Sequence, residues 1–393
     1  MKIVTNLLLI FIIFVSQKLV LSFEDSEDTY LKTKSFNTIG TRNCTSITNG
    51  NAYLDIVVVF DTSKGVDELG FNGEKGSLIT ILSALKIGQG AKSQISRLSI
   101  ITAAAEAKII SDLNKYSSTN DAVRDIMQIQ FSSNTNEEFD TEKALKAAEK
   151  VIETTGRGDN FKKVILLYTS ATDYDCSEEQ VFAVSDESPC RTAANLKNKG
   201  YYIITAALQF KDGVYNPPAK SIASPCFAVT VKNLPNQFVE MFTYANCFCE
   251  SVFLQYFNAD TCYKAAECLY LENTPTGYTM AQKVASLANG TLVDIRDEQK
   301  ENFIIKIANY SLPVFIGLNQ LKTLGKWTWD TGYAFDNSYN KFSNGEENKK
   351  GMCVTLNSDG LWYTTDCSPY LNPKPYIYQV NACDAGNFCA GDT

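Results

Sequence analysis

From Tyr53 to about Tyr244 the chain alternates short apolar runs with longer amphipathic ones. The runs DIVVVF (55–60), RLSIITAAA (97–105), KKVILLYTS (162–170), GYYIITAAL (200–208) and FAVTV (227–231) are almost continuous in apolar side chains. A strand covered on both faces reads this way, because neither face has to meet water. Between them, SLITILSALKI (77–87) places Leu78, Leu82 and Leu85 together at helical spacing. TEKALKAAEKVIETT (141–155) does the same with Ala144, Leu145, Ala148, Val151 and Ile152. Strand and helix in alternation predict a doubly wound α/β domain with a mostly parallel sheet over residues 51–245. In such a sheet a ligand site lies beyond the C-terminal strand ends, where LDIVVVFDTSKG (54–65) turns from apolar to polar at Asp61.

Past Cys247 the texture changes. Two helical periods remain, TGYTMAQKVASLAN (276–289) and EQKENFIIKIAN (298–309), and then come short, turn-rich segments with dense aromatics and cysteines. These predict a second, α+β domain stapled by disulfides over residues 246–382, and a cysteine-containing tail over 383–393. Residues 23–50 are polar without an apolar period and predict a linker. The first 22 residues, MKIVTNLLLIFIIFVSQKLVLS, have the lysine, apolar run and small-residue end of a signal peptide. The run is shorter than the about 20 residues a membrane span needs, and no later segment is long enough.

Composition narrows the chemistry. The 393 residues are 45% apolar and 20% charged, as in ordinary globular proteins. The net charge of −8, with no basic cluster, argues against a nucleic-acid partner. No histidine is present, which excludes Ser-His-Asp and Cys-His catalysis and most zinc sites. Twelve cysteines, an even number behind a signal peptide, imply disulfides and a secreted, extracellular protein. The sequons at Asn43, Asn289 and Asn309 are the expected glycosylation sites.

VVVFDTSKG, FDTEKALKAAEKVI and KKVILLYTSATD together resemble a von Willebrand factor A domain. The resemblance implies a metal-ion-dependent adhesion site: an Asp-x-Ser-x-Ser run, a Thr before the central helix and an Asp after the next strand hold Mg²⁺. Matched position by position, Asp61 and Ser63 stand where two donors belong, while Gly65, Phe139 and Ser170 replace the others. Shifted loops would bring in Thr135, Thr141 or Asp173. One carboxylate is little charge with which to dehydrate Mg²⁺, and Asp61 and Ser63 have a simpler use as acceptors for nearby backbone N–H groups. A strand ending in Asp also opens haloacid-dehalogenase-type phosphatases. That remote alternative, a hydrolase with Asp61 as nucleophile, lacks the second acid because position 63 is serine.

Residues 262–382 resemble a C-type lectin-like domain. CYKAAEC (262–268), AQKVASLANGTLVDI, FIGL (315–318), WTWDTG (327–332) and the set Cys353, Trp362 and Cys367 carry the resemblance. It implies Ca²⁺ held by a Glu-Pro-Asn triplet and a Trp-Asn-Asp triplet. Here these read Glu346-Glu347-Asn348 and Trp362-Tyr363-Thr364, so Glu346 and Asn348 remain and the second pair of ligands is gone, with Asp359 and Asp366 flanking. The resemblance also implies the pairs Cys353–Cys367 and Cys262–Cys268; the family's long-range bridge is absent, its positions being Ala285 and Tyr378. Cys176–Cys190 and Cys383–Cys389 are expected to close local loops. The partners of Cys44, Cys226, Cys247 and Cys249 stay open. Trp327, Trp329 and Trp362 are expected in the core, with Tyr333 and Tyr339 freer to face solvent.

The order of modules resembles secreted nematode proteins of the C-type lectin families. That implies a non-enzymatic recognition or adhesion protein for extracellular protein or glycan ligands, with a role in innate defence. No cofactor is expected; a Ca²⁺- or Mg²⁺-dependent lectin is the alternative.

Overall fold

The computed structural model describes residues 42–90, 93–131, 137–171, 173–176, 188–207, 219–229, 234–323, 325–349 and 351–389. The expected signal peptide, most of the expected linker and Thr135 lie outside them. The first module contains strand β1 (Asp55–Asp61), helix α1 (Glu68–Leu82), β2 (Arg97–Ala103), β3 (Ala107–Ser111), α2 (Thr119–Gln128) and α3 (Thr141–Thr155). It continues through β4 (Lys163–Thr169), α4 (Pro189–Asn198), β5 (Tyr202–Ala207), β6 (Ala228–Val229) and α5 (Leu234–Ala245). The strands form one sheet in the order β3-β2-β1-β4-β5-β6, parallel except for β3.

The period-2 geometry of β1 explains its unbroken apolar run. Ile56, Val58 and Phe60 pack with Leu78 and Leu82 of α1 and Phe238 and Phe242 of α5 on one face. Val57 and Val59 pack with Ala144, Leu145 and Ala148 of α3 on the other. At about 1.5–3 kcal/mol per fully buried aliphatic side chain, this double burial is the main reason the strand sits at the centre. Two features depart from the pattern. Strand β3, which none of the apolar runs includes, folds back on β2 as an antiparallel hairpin. Helix α1 starts at Glu68, well before residue 77, because Asp67 caps it by accepting from the Gly70 amide at 2.7 Å. Gly70, Gly73 and Gly76 weaken the helical signal over that first half.

The second module contains β7 (Leu254–Asn258), β8 (Tyr263–Thr276), α6 (Tyr278–Leu287), β9 (Thr291–Leu292), α7 (Glu298–Ala308), β10 (Val314–Asn319), β11 (Thr328–Trp329), β12 (Cys353–Leu356), β13 (Trp362–Thr365) and β14 (Lys374–Asn381). Its sheet runs β13-β12-β10-β14-β8-β7, with β11 on β10 and β9 on β14. Trp362, fully buried, is the hub of its core: Trp329, Phe335, Tyr339 and Phe342 all place ring edges against it. Beside that core Lys300 is fully buried, with its ammonium 2.8 Å from Glu267, 2.5 Å from Asp294 and 3.1 Å from the Gln379 carbonyl oxygen.

Six disulfides use all twelve cysteines. Cys176–Cys190, Cys353–Cys367 and Cys383–Cys389 pair as the sequence reading has them. Cys262–Cys268 does not form: Cys262 pairs with Cys226 and Cys268 with Cys249. The reason is geometric. Extended chain separates residues six apart by about 20 Å, and a disulfide needs Cα atoms within about 7 Å. Cys268 lies within β8 and Cys262 just precedes it. The remaining pair, Cys44–Cys247, ties the N-terminal segment to the end of α5. Residues 42–50 are thus not linker where they are described. Ile47 is fully buried in the first core, and the Arg42 carbonyl accepts from the Ala266 amide at 2.6 Å.

Candidate functional site

The end of β1 delivers Asp61 to the C-terminal edge of the sheet, fully buried. Its Oδ1 accepts from the Ser63 amide at 2.8 Å, and Oδ2 accepts from both the amide and the hydroxyl of Ser170 at 2.6 Å. Ser170 has spent its proton on Asp61, so the 3.1 Å contact between the two serine hydroxyls is donated by Ser63. Ser63 Oγ in turn accepts from the Gly65 amide at 3.3 Å. The knot also fills space: a Cβ on Gly65 would lie 2.5 Å from Ser170 Oγ and 2.7 Å from its Cβ.

Beneath the knot lies Glu74 of α1, fully buried and not singled out by the sequence. Its Oε2 accepts from the Asp61 amide at 3.1 Å, and among the described residues its Oε1 has no partner. Burial, with the Asp61 charge in second place, pushes the Glu74 carboxyl well above its ordinary value. Burial raises Asp61 as well, against the hydrogen bonds from Ser170 and Ser63.

The other donors implied by the resemblance are turned elsewhere. Phe139 packs into the core. Thr141 Oγ1 shares a 2.7 Å hydrogen bond with the Tyr174 hydroxyl, and Asp173 Oδ1 accepts from the Ser221 amide and hydroxyl at 3.0 and 2.5 Å. A fully buried carboxylate whose lone pairs already meet three donors, beside a glycine with nothing to offer, does not fit an octahedral Mg²⁺.

In the second module Glu346 opens a short 3₁₀ turn (Glu346–Asn348), and its side chain is buried. Oε2 accepts from the amide and hydroxyl of Thr364 on β13, both at 2.9 Å. Oε1 receives the ammonium of Lys349, which returns from the next residue after the turn. Burial acts to raise the Glu346 pKa, yet the Lys349 and Thr364 donors outweigh it and leave the carboxyl below its ordinary value. Asn348 is exposed, its side-chain amide donating to the neighbouring Glu347 at 3.4 Å. Asp359 accepts from the Tyr363 hydroxyl at 2.7 Å, and Asp366 accepts from the Ser368 amide at 2.6 Å. These oxygens do not converge, and the six to eight ligands of Ca²⁺ are not assembled. Among the described residues no group of three or more His, Cys, Asp or Glu side chains is placed to hold a metal ion.

Around this turn the aromatics divide differently from the expectation. Tyr339 is not free: its hydroxyl donates to Glu301 at 2.5 Å, the same carboxyl that accepts from the Trp362 indole at 2.8 Å. Trp327 is half-buried instead of core, donating to the Glu347 carbonyl at 3.3 Å and leaning on Phe342. Tyr333 lies under the Arg296 guanidinium, 4.0 Å from its ring centroid. The three sequon asparagines, Asn43, Asn289 and Asn309, are all exposed. The sequence reading missed Lys349, because an i,i+3 Lys after Glu is common on any surface turn.

Comparison with known proteins adds two family matches. The von Willebrand factor type A domain matches residues 55–242, and the Lectin C-type domain matches residues 274–373. A similar curated protein is C-type lectin domain-containing protein 160 of Caenorhabditis elegans, 21% identical over 88% of this chain and 56% of its own length. The chain thus spans about half of that relative. The mouse scavenger receptor C-type lectin carbohydrate-recognition domain aligns with 34% of the chain and 96% of itself, at 18% identity and a TM-score of 0.29. Proximal thread matrix protein 1 from the mussel byssus aligns with 57% of the chain and 51% of itself, at 15% identity and a TM-score of 0.39.

Proposed function

Because the chain joins a von Willebrand factor type A domain to a C-type lectin domain, we propose that it is a secreted, non-enzymatic recognition protein that binds extracellular protein or glycan ligands without a resident metal ion. One observation carries the reading: at both positions where the two families place a metal, the surviving carboxylate is already saturated by donors from its own chain. Ser63 and Ser170 do this for Asp61, and Thr364 and Lys349 for Glu346. A cation would have to displace several charge-assisted hydrogen bonds and, at Glu346, the ammonium itself.

The face beside Glu346 suits contact by shape and stacking. Trp327, bonded to the Glu347 carbonyl, stands there partly exposed and Asn348 fully exposed. Half-exposed aromatic rings of this kind stack on sugars or seat protein side chains. The relative from C. elegans, itself named for a C-type lectin domain, is consistent with such a role, and six disulfides suit an extracellular, oxidising setting in which innate defence is one use. A hydrolase built on Asp61 finds no support, since a nucleophile must reach its substrate and this carboxylate is fully buried.

The test is a glycan and protein array probed with the full chain in Ca²⁺ and again in EDTA. The proposal expects the same ligands at the same strength in both. Binding that vanishes with chelator would favour the divalent-metal-dependent lectin instead.

A further inference from the structure

A cleft of about 460 Å³ opens where the first module meets the strip that leads into the second. Its walls are the turn before β4, the turn before β5 and the strip at 248–251. The strip is held firmly. Phe248 exchanges two backbone hydrogen bonds of 2.9 Å with Cys383, and Cys249 is bonded to Cys268. The opposite wall is held by Phe161, which packs edge-on against Tyr53 and under the Arg157 guanidinium.

The cations around this cleft are not equivalent. Lys163 is turned inward, bonded to the Gly158 and Phe161 carbonyls. Lys264 donates to the Tyr202 hydroxyl and the Tyr244 carbonyl at 2.8 Å, and Lys199 is held by Glu149 and Glu153, both at 2.7 Å. Lys162 alone among these four has no such partner. Its ammonium lies 4.6 Å from the Phe248 ring centroid, and among the described residues no carboxylate or carbonyl oxygen is within hydrogen-bonding distance of it. Burial lowers its pKa and the Lys264 charge adds to this, with Tyr202 and Asp159 acting the other way. An ammonium so placed, half-buried beside a second cation, is short of an anion. The acids in the lining, Asp159 and Glu250, are exposed to solvent.

We propose that this junction cleft binds a small anionic ligand, a carboxylated or sulfated sugar unit, with the Lys162 ammonium as its anchor. The volume lies within the range of small-molecule sites. Asn160 and Ser251 supply neutral polar groups for hydroxyls. The site needs both modules, since its walls come from each side of α5. It is distinct from the face beside Glu346, so its failure would leave the metal-free recognition proposal standing.

The experiment is calorimetric titration of the full chain with N-acetylneuraminic acid, glucose 6-sulfate and glucose. At least one of the two acids should bind, and a preference between them tells carboxylate from sulfate. Glucose should bind at least about tenfold more weakly, as the loss of one charge-assisted contact implies. Lys162→Met, which keeps the apolar stem, should cost the acid at least about tenfold in affinity. Lys199→Met should leave it within about twofold, because that ammonium is already engaged by Glu149 and Glu153. Unchanged melting temperatures in both variants establish that they fold. No binding of either acid, equal binding of glucose, or unchanged affinity in Lys162→Met would overturn the proposal.

Discussion

A Cβ added at Gly65 would collide with Ser170, and Ser170 is the residue that ties up Asp61. The two departures from the metal-site pattern are therefore coupled through space and amount to one structural change. Gly65→Ala should destabilise the chain by about 1–3 kcal/mol through overpacking. Ser170→Gly should lose the hydroxyl contact to Asp61. Combined, they should cost less than the sum of the singles, because the glycine at 170 makes room for the added methyl. Chemical denaturation of the four proteins measures the coupling, and strict additivity would refute the steric link. Glu74 gives a second residue-scale expectation. Its folded pKa is raised well above the ordinary 4.5, so its contribution to stability is fully present below that value and is lost as pH rises through the folded pKa. Glu74→Gln should raise the melting temperature at pH 7–8 and change it little at pH 4. A variant less stable at neutral pH would show that Glu74 is ionised in place.

At the scale of elements, what the sequence made legible followed double burial and periodicity. The β1, β4 and β5 runs, the helix Thr141–Thr155 and both helices of the second module stood out because their apolar residues have nowhere to go but the core. The hairpin strand Ala107–Ser111 did not, since an edge strand half open to water has a weak pattern. The sites were legible only as residue identities. Asp61 and Glu346 were found, while the partners that saturate them, Ser170 and Lys349, required coordinates. So did the buried Lys300, which looks like an ordinary charged residue on an amphipathic helix. Its ammonium sits between Glu267 of β8 and Asp294 near β9, joining helix α7 to the sheet. Burial lowers the pKa of Lys300, but the two carboxylates outweigh it and hold the group above its ordinary value. Lys300→Met should leave the buried Glu267 without its cation and Asp294 with Arg296 alone, and cost about 3–5 kcal/mol. Urea unfolding checks this, and a loss under 1 kcal/mol would contradict a structural role for the triad.

Across the whole molecule, the disulfides that sequence left open or mispaired are those that join separate segments of the chain. Cys226–Cys262 bridges the first module to the start of β8, Cys249–Cys268 pins the connecting strip to the same strand, and Cys44–Cys247 closes the N-terminal segment onto α5. Their pairing could not be read locally because the partners lie on different elements. The C-terminal tail completes the arrangement: Asp384 accepts from the Thr45 amide at 2.9 Å and pairs with Arg42 at 3.0 Å, while Phe388 packs edge-on against Tyr53. The chain thus holds its two modules together by covalent and packed contacts, and on the function proposed above each metal position is closed by its own side chains. Calorimetric titration of the chelator-treated full chain with Ca²⁺ and with Mg²⁺ addresses this claim most directly. No saturable heat is expected up to about 1 mM, the weak end of extracellular calcium modules. A saturable isotherm with either ion below that concentration would contradict it.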